Sequence, residues 1–153
     1  RSSDLRFLLQ IETKHEMGEV GDVLDLRHCN LDDESLHIIS NAVGELLKLR
    51  NEGKEKGRRF KNDFHPTRLL VSHNQLTDGG HLAKFARFLE LRAVDATGNR
   101  INEEGIRRFA AALKVHRELE ELILEDNDLK SEGANAILDV LKVCNTHLYY
   151  IFF

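Results

Sequence analysis

Cysteine is scarce in this sequence, and its scarcity excludes two kinds of small domain. The 153 residues contain two cysteines, Cys29 and Cys144. Two cysteines provide neither a disulfide framework nor the paired spacing of a zinc finger. The opening residues carry no secretory signal pattern and no initiator methionine. We therefore expect a reducing compartment, cytoplasmic or nuclear, and a chain that is part of a longer protein.

Long apolar runs and catalytic signatures are also missing. No hydrophobic stretch approaches the roughly 18 residues of a membrane-spanning helix, so no membrane contact is expected. The sequence has no phosphate-binding Gly-Lys-Ser/Thr loop, no Gly-x-Ser-x-Gly turn and no Cys–His pair in a recognisable context. These absences predict a protein that is not an enzyme and needs no cofactor. Regulation of a GTPase is a weaker alternative, because nothing marks a catalytic arginine.

Charge is present in ordinary amount but is unevenly distributed. The net charge is −4. Residues 48–68 hold eight Lys/Arg against three Asp/Glu, a local charge of +5. Residues 118–139 hold eight Asp/Glu against Lys130, a local charge of −7. The chain is therefore electrostatically polarised.

What the sequence does contain is an internal repeat. The stretch VLDLRHCNL at 23–31 returns as LLVSHNQL at 69–76, VDATGNRI at 94–101 and LILEDNDL at 122–129. Repeat positions are counted so that position 9 is Cys29, Asn74, Asn99 or Asn127 in the four copies. Each copy then has apolar residues at positions 4, 6 and 11. A partial fifth copy begins at Leu148. The alternation predicts short strands with positions 4 and 6 turned inward and positions 5, 7 and 8 turned outward.

A helical pattern follows each predicted strand. Apolar residues recur three or four apart, as at Ile106, Phe109 and Leu113, which gives each helix one buried stripe. The asparagines at position 9 are expected to bond the backbone of neighbouring turns as a ladder. Gly105 and Gly133 recur at matching places, where we expect helix and strand layers to approach closely. The expected helix caps are Asp32, Thr77, Asn102 and Ser131.

This pattern resembles the leucine-rich repeat family, in its ribonuclease-inhibitor-like subclass, over residues 21–153. The resemblance implies an α/β solenoid of about four and a half repeats, with short parallel strands on the concave face, helices on the convex face and an N-terminal capping helix. The expected single domain divides into a cap helix at 1–20, repeat 1 at 21–47, a basic insertion at 48–65, repeat 2 at 66–90, repeat 3 at 91–118, repeat 4 at 119–147 and a partial repeat 5 at 148–153.

The outward strand positions are the candidate binding residues, because a solenoid presents its strands to a partner. Their charges run from basic to acidic along the repeats, with apolar and aromatic side chains between them. This mixture suits a protein partner, so we predict a non-catalytic interaction module, a scaffold or adaptor. The predicted partner-binding residues are Asp25, Arg27, His28, Arg68, Leu70, Ser72, His73, Arg92, Asp95, Ile123, Glu125, Tyr149 and Phe152.

Two other features bear on function. His28 and His73 share position 8, but Gly98 follows in the next copy, and zinc normally takes more than two protein ligands, so no metal site is predicted. LYYIFF at 148–153 is apolar and has no charge, which predicts an exposed apolar edge; either the natural protein continues there, or another chain covers the edge, as in a homo-oligomer.

The basic insertion supports the second hypothesis, an RNA-binding solenoid, as in leucine-rich-repeat domains of some mRNA-export factors. Basic residues interleaved with aromatics can bind nucleic acid, although a solvated loop is the simpler interpretation. Nucleic acid therefore ranks behind a protein partner. The candidate polyanion-binding residues are Lys54, Lys56, Arg58, Arg59 and Lys61.

Overall fold

The computed structural model describes residues 22–55, 65–144, 148 and 150–153, and in these ranges strands and helices alternate. The strands are β1 Asp22–Asp25, β2 Pro66–Leu70, β3 Ala93–Asp95, β4 Glu121–Ile123 and β5 Tyr150–Phe152. The helices are α1 Asp33–Glu55, α2 Gly80–Phe88, α3 Glu103–Leu113 and α4 Ser131–Cys144. The strands form one parallel sheet in the order β1-β2-β3-β4-β5. None of the described helices is long and apolar enough to cross a membrane.

The first helix is longer than the sequence indicated. It runs to Glu55, so residues 48–55, predicted as the start of a basic insertion, extend α1 instead. The reason is local, because Lys48, Leu49 and Arg50 are good helix formers and no glycine lies between Gly44 and Gly53. The rest of the predicted insertion at 56–64 and the predicted cap helix at 1–20 lie outside the described residues.

The core lies between the sheet and the helices. Alternate strand residues are buried against the helices, as predicted: Leu24, Leu26, Leu69, Val71, Val94, Ala96, Leu122 and Leu124 have no exposed surface. Phe85 of α2 and Phe109 of α3 fill the helix side of the same cluster. Burying one such side chain stabilises the fold by about 1.5–3 kcal/mol. This cluster runs through successive turns, so each turn depends on its neighbours.

The predicted asparagine ladder is present at position 9. Each side-chain oxygen accepts a hydrogen bond from a backbone N–H of the preceding turn; the pairs are Asn74 with Leu31 (2.9 Å), Asn99 with Leu76 (3.1 Å) and Asn127 with Ile101 (3.1 Å). The amide nitrogen of Asn99 also donates to the carbonyl oxygens of Val71 (3.1 Å) and Ala96 (3.0 Å). These bonds hold consecutive turns in a fixed register.

The helix starts confirm some predicted caps and correct others. Asp32 and Asn102 each accept from the N–H three residues further on, at 2.8 and 2.9 Å. Thr77 does not cap α2, which begins three residues later; its hydroxyl donates to Asp33. Burial alone would raise the pKa of Asp33, but the hydrogen bonds that it accepts from Thr77 and the next residue lower this pKa overall. Ser131 is the first residue of α4 rather than the residue before it.

The two matching glycines have different surroundings. A Cβ atom on Gly105 would lie 2.4 Å from the backbone nitrogen of Gly79, at the start of α2. A Cβ atom on Gly133 would lie 3.4 Å from its nearest neighbour, Cδ2 of Leu129. The expected approach of helix and strand layers is therefore wrong for Gly105, where the backbones at the starts of two helices meet.

Candidate binding surface

The outward residues of the sheet lie in register across all five strands. The row at position 5 is Asp25, Leu70, Asp95, Ile123 and Phe152, and the row at position 3 is Val23, Arg68, Ala93, Glu121 and Tyr150. We call these two rows, with the residues at positions 7 and 8 that follow each strand, the strand face. Most of the predicted partner-binding residues belong to it. Arg92 lies one residue before β3, and Tyr149 lies outside the described residues.

The arginines of the strand face are held by carboxylates of the same face. Nε and Nη2 of Arg27 donate to the two carboxylate oxygens of Asp25 at 2.8 and 2.6 Å. Nη2 of Arg68 lies 3.6 Å from Oε2 of Glu121, two strands away, because the intervening Ala93 is small and buried. The sequence predicted a basic charge for the first half of the strand face. Carboxylates of the same face neutralise that charge.

Arg92 is paired in the same way just outside the strand face. Its Nε donates to Oε1 of Glu120 at 3.0 Å, and a second nitrogen of the guanidinium contacts the same oxygen. Both side chains are partly exposed. A predicted partner-binding arginine is thus already engaged within the chain.

Three carboxylates of the third and fourth turns, those of Asp95, Glu125 and Asp126, have no such partner. Asp95 accepts from the backbone N–H and the hydroxyl of Thr97, at 3.0 and 2.7 Å, which are neutral donors. Its charge also helps to raise the pKa of Arg27, although the hydrogen bond of that arginine to Asp25 has the larger effect. Glu125 and Asp126 are exposed, and their carboxylates pair with no other residue in the described part of the chain. The unpaired charge of the strand face is therefore negative.

An apolar patch lies beside these carboxylates. Phe152 is the register partner of Ile123, and Tyr150 lies on the same outward face of β5. Tyr150 is 61% and Phe152 46% exposed, while Ile123 is half-buried. We call these three residues the apolar patch. Aromatic side chains in such a position are typical anchors of protein interfaces.

Ser72 departs from the predicted exposure. It is only 3% exposed, although position 7 was expected to face outward. Backbone hydrogen bonds from His28 to Ser72 and from His73 to Thr97 continue the register beyond the strands. Ser72 therefore offers almost no surface to a partner.

Position 8 of each turn has a left-handed backbone, which the sequence did not reveal. The φ angles are +54° for His28, +56° for His73, +65° for Gly98 and +53° for Asp126. The imidazole rings of His28 and His73 stack, with centroids 4.6 Å apart and planes at 10°. The described residues contain no group of three or more His, Cys, Asp or Glu side chains that could hold a metal ion. The shared repeat position was the signal that could have predicted the stacked pair.

The predicted polyanion-binding residues remain untested. Lys54 lies in the last turn of α1. The other four lie outside the described residues: Lys56, Arg58, Arg59 and Lys61. Binding of RNA at the insertion therefore stays a prediction.

Successive strand–helix turns that form a parallel sheet define an α/β repeat protein, and comparisons with known proteins agree with this class. A family model described as Leucine Rich repeat matches residues 23–37 and 116–138. These matches support a relationship to the leucine-rich repeat family. The chain is also similar to one in a solved structure of Chaetomium Mex67:Mtr2 subunits, with 23% identity, a TM-score of 0.64, and coverage of 99% of this chain and 89% of that chain. This likeness shows a shared fold. No curated protein matches the chain.

Proposed function

We propose that this chain is a non-catalytic protein-interaction module, a short leucine-rich-repeat solenoid of the ribonuclease-inhibitor-like kind. A partner protein binds its strand face, which is the concave side of the solenoid. The matches to leucine-rich repeats support the general function, because such domains are generally interaction modules without enzymatic activity. Its cellular role would be that of a scaffold or adaptor in the cytoplasm or nucleus.

The observation that carries this proposal is the separation of inward and outward strand residues. The inward residues are fully buried and the outward ones lie in two continuous rows. The asparagine ladder ties the backbone beneath those rows, so the surface is already ordered before a partner arrives. A pre-ordered surface loses little conformational entropy on binding, which favours affinity.

The C-terminal edge supports a second contact, between two copies of the chain. β5 pairs with β4 on one side, and no other strand in the described ranges pairs with its far side. Tyr150, Phe152 and Phe153 are exposed there. Because an uncovered apolar edge strand favours pairing, we propose self-association through residues 148–153.

The test of the main proposal is a quantitative pull-down from cell lysate, carried out with and without nuclease treatment. The wild type is compared with Leu70→Glu/Ile123→Glu on the strand face and with Leu138→Glu on the exposed side of α4. We expect a set of proteins to be lost with the strand-face variant and kept with the helix variant. Retention of every partner by the strand-face variant would contradict the proposal.

The same experiment separates the RNA alternative. A further variant, Arg58→Glu/Arg59→Glu, changes the basic insertion alone. Partners lost only with this variant, or only after nuclease treatment, would assign the function to the insertion. Direct binding of single-stranded RNA should then weaken steeply with salt, because neutralised phosphates release counterions.

A further inference from the structure

We infer that the part of the strand face on β3, β4 and β5 binds a partner segment that is both apolar and positively charged. Its apolar side chains contact the apolar patch, and its Lys or Arg side chains meet the neighbouring carboxylates, which we call the acidic rim. The acidic rim consists of Asp95, Glu125 and Asp126. This inference rests on the proposed function and goes beyond it by assigning the chemistry of the partner.

The charge of this surface is decided by which ions are already paired. Arg27 and Arg68, the arginines of the strand face, are occupied by Asp25 and Glu121. The three carboxylates of the acidic rim have no cation bonded to them within the described ranges. The charge of the two arginines is therefore offset by their carboxylate partners, whereas the charge of the acidic rim is not. An approaching partner meets a surface of net negative charge. Complementary charge favours Lys and Arg and disfavours Asp, Glu and phosphate.

The geometry brings the acidic rim and the apolar patch within reach of one short segment. Asp95 and Ile123 are register partners on adjacent strands, about 4.8 Å apart. Ile123 is in turn the partner of Phe152. The backbone N–H of Gly98 donates to the carbonyl of Glu125 at 2.9 Å, which keeps the third and fourth turns together beyond the strands. A segment crossing three strands thus contacts both kinds of side chain.

The apolar patch supplies the binding energy, and the acidic rim supplies selectivity. Tyr150 is the most exposed aromatic residue of the patch at 61%. Large aromatic side chains buried at the centre of an interface are the usual hot spots, whereas charges at the rim mainly affect association rate and choice of partner. The same charges repel nucleic acid, so RNA is not expected on this half of the strand face.

The probe for this inference is a random dodecapeptide library displayed on phage and selected against the immobilised full chain. We expect enriched peptides to combine aromatic or aliphatic residues with Lys or Arg. The most enriched sequence is then synthesised, and its affinity for the wild type and for four variants is measured by calorimetry. Circular dichroism of each variant checks that the fold is retained.

Each informative variant has a matched control. Phe152→Ser should weaken binding by about 30-fold or more, as expected for loss of a hot spot. Leu138→Ser should leave it unchanged, because Leu138 is an exposed apolar residue of α4 and lies outside the strand face. Glu125→Lys should weaken binding about tenfold by charge repulsion. Asp139→Lys, the same charge change on α4, should have no effect.

The outcomes separate this inference from the proposed function. Peptides that are acidic or uncharged, yet lose binding with Phe152→Ser, would overturn the assigned chemistry and leave the strand face as the binding site. Peptides that bind Phe152→Ser and Glu125→Lys as well as wild type would overturn the inference, and so would a library with no enrichment. The lysate pull-down then decides the proposed function independently, because it does not depend on the partner being basic.

Discussion

At the scale of single residues, position 9 shows how a polar side chain becomes part of the core. Asn99 is 5% exposed, yet both of its amide atoms are hydrogen-bonded to backbone groups of its own and the preceding turn. A buried backbone group that loses its partner costs about 1–3 kcal/mol. The asparagine therefore stabilises two turns at once.

Replacing the Asn99 side chain should lower the stability of the fold. Asn99→Ala leaves the N–H of Leu76 without its acceptor, and we expect the free energy of unfolding to fall by about 2–3 kcal/mol. Urea denaturation followed by circular dichroism measures the change. Asn135→Ala, at an exposed site on α4, is the control and should change stability by less than about 0.5 kcal/mol. Equal losses for the two variants would mean that the ladder adds nothing to stability.

The sequence predicted the ladder but not the ion pairs of the strand face. Asparagine recurs at the same place in successive copies, so its role could be read from position alone. The pairing of Arg68 with Glu121 depends on a third residue, because only the small, buried Ala93 lets the two side chains meet across a strand. Such a contact follows from the register of three strands. The sequence shows their charges but not which of them are left unpaired.

At the scale of elements, the helices differ in length more than the strands do. The strands are three to five residues long, whereas α1 has 23 residues, α2 has 9, α3 has 11 and α4 has 14. The repeat pattern predicts where each strand lies, because inward strand positions must be buried. It constrains helix length weakly, since a helix can extend beyond the core without changing the sheet. This is why residues 48–55 were assigned to a loop.

The contact between the starts of α2 and α3 can be tested with two glycines. A Cβ on Gly105 would meet backbone nitrogen of Gly79, which cannot rotate away, so Gly105→Ala should destabilise the fold by about 1–3 kcal/mol. A Cβ on Gly133 would lie 3.4 Å from the side chain of Leu129 and 3.7 Å from Cα of Glu103, which are ordinary contact distances. Gly133→Ala should therefore be neutral or stabilise α4 by up to about 1 kcal/mol. Thermal unfolding of both variants measures the difference, and a stable Gly105→Ala protein would refute the close backbone contact.

At the scale of the whole molecule, contacts join consecutive turns. Helix contacts pair α1 with α2, α2 with α3 and α3 with α4, and the strands pair in the same consecutive order. The sequence predicted this arrangement because its repeat is regular. It also indicated the exposed edge at β5. A contact that covers this edge also requires a second surface, and the sequence of the edge does not show which surface that is.

Self-association through this edge predicts a mass that depends on concentration. Light scattering of the wild type should rise above the monomer mass as concentration increases, because two copies cover each other's apolar edges. Phe153→Asp should restore a constant monomer mass by placing a charge at the contact. Leu138→Glu, a charge placed on α4, should behave as wild type. A constant monomer mass for the wild type would remove self-association from the proposed function.

The alternation along each strand also has an evolutionary consequence. The core constrains one residue of each strand: Leu24, Leu69, Val94 and Leu122. It does not constrain the residue that follows each of them, which is Asp25, Leu70, Asp95 or Ile123. Under the proposed function, mutations at the second set change what the protein recognises with little effect on folding, and mutations at the first set do the reverse. Selection on recognition and selection on stability therefore act on different, interleaved residues. Descendants of such a chain can acquire new partners while the scaffold beneath them is inherited unchanged.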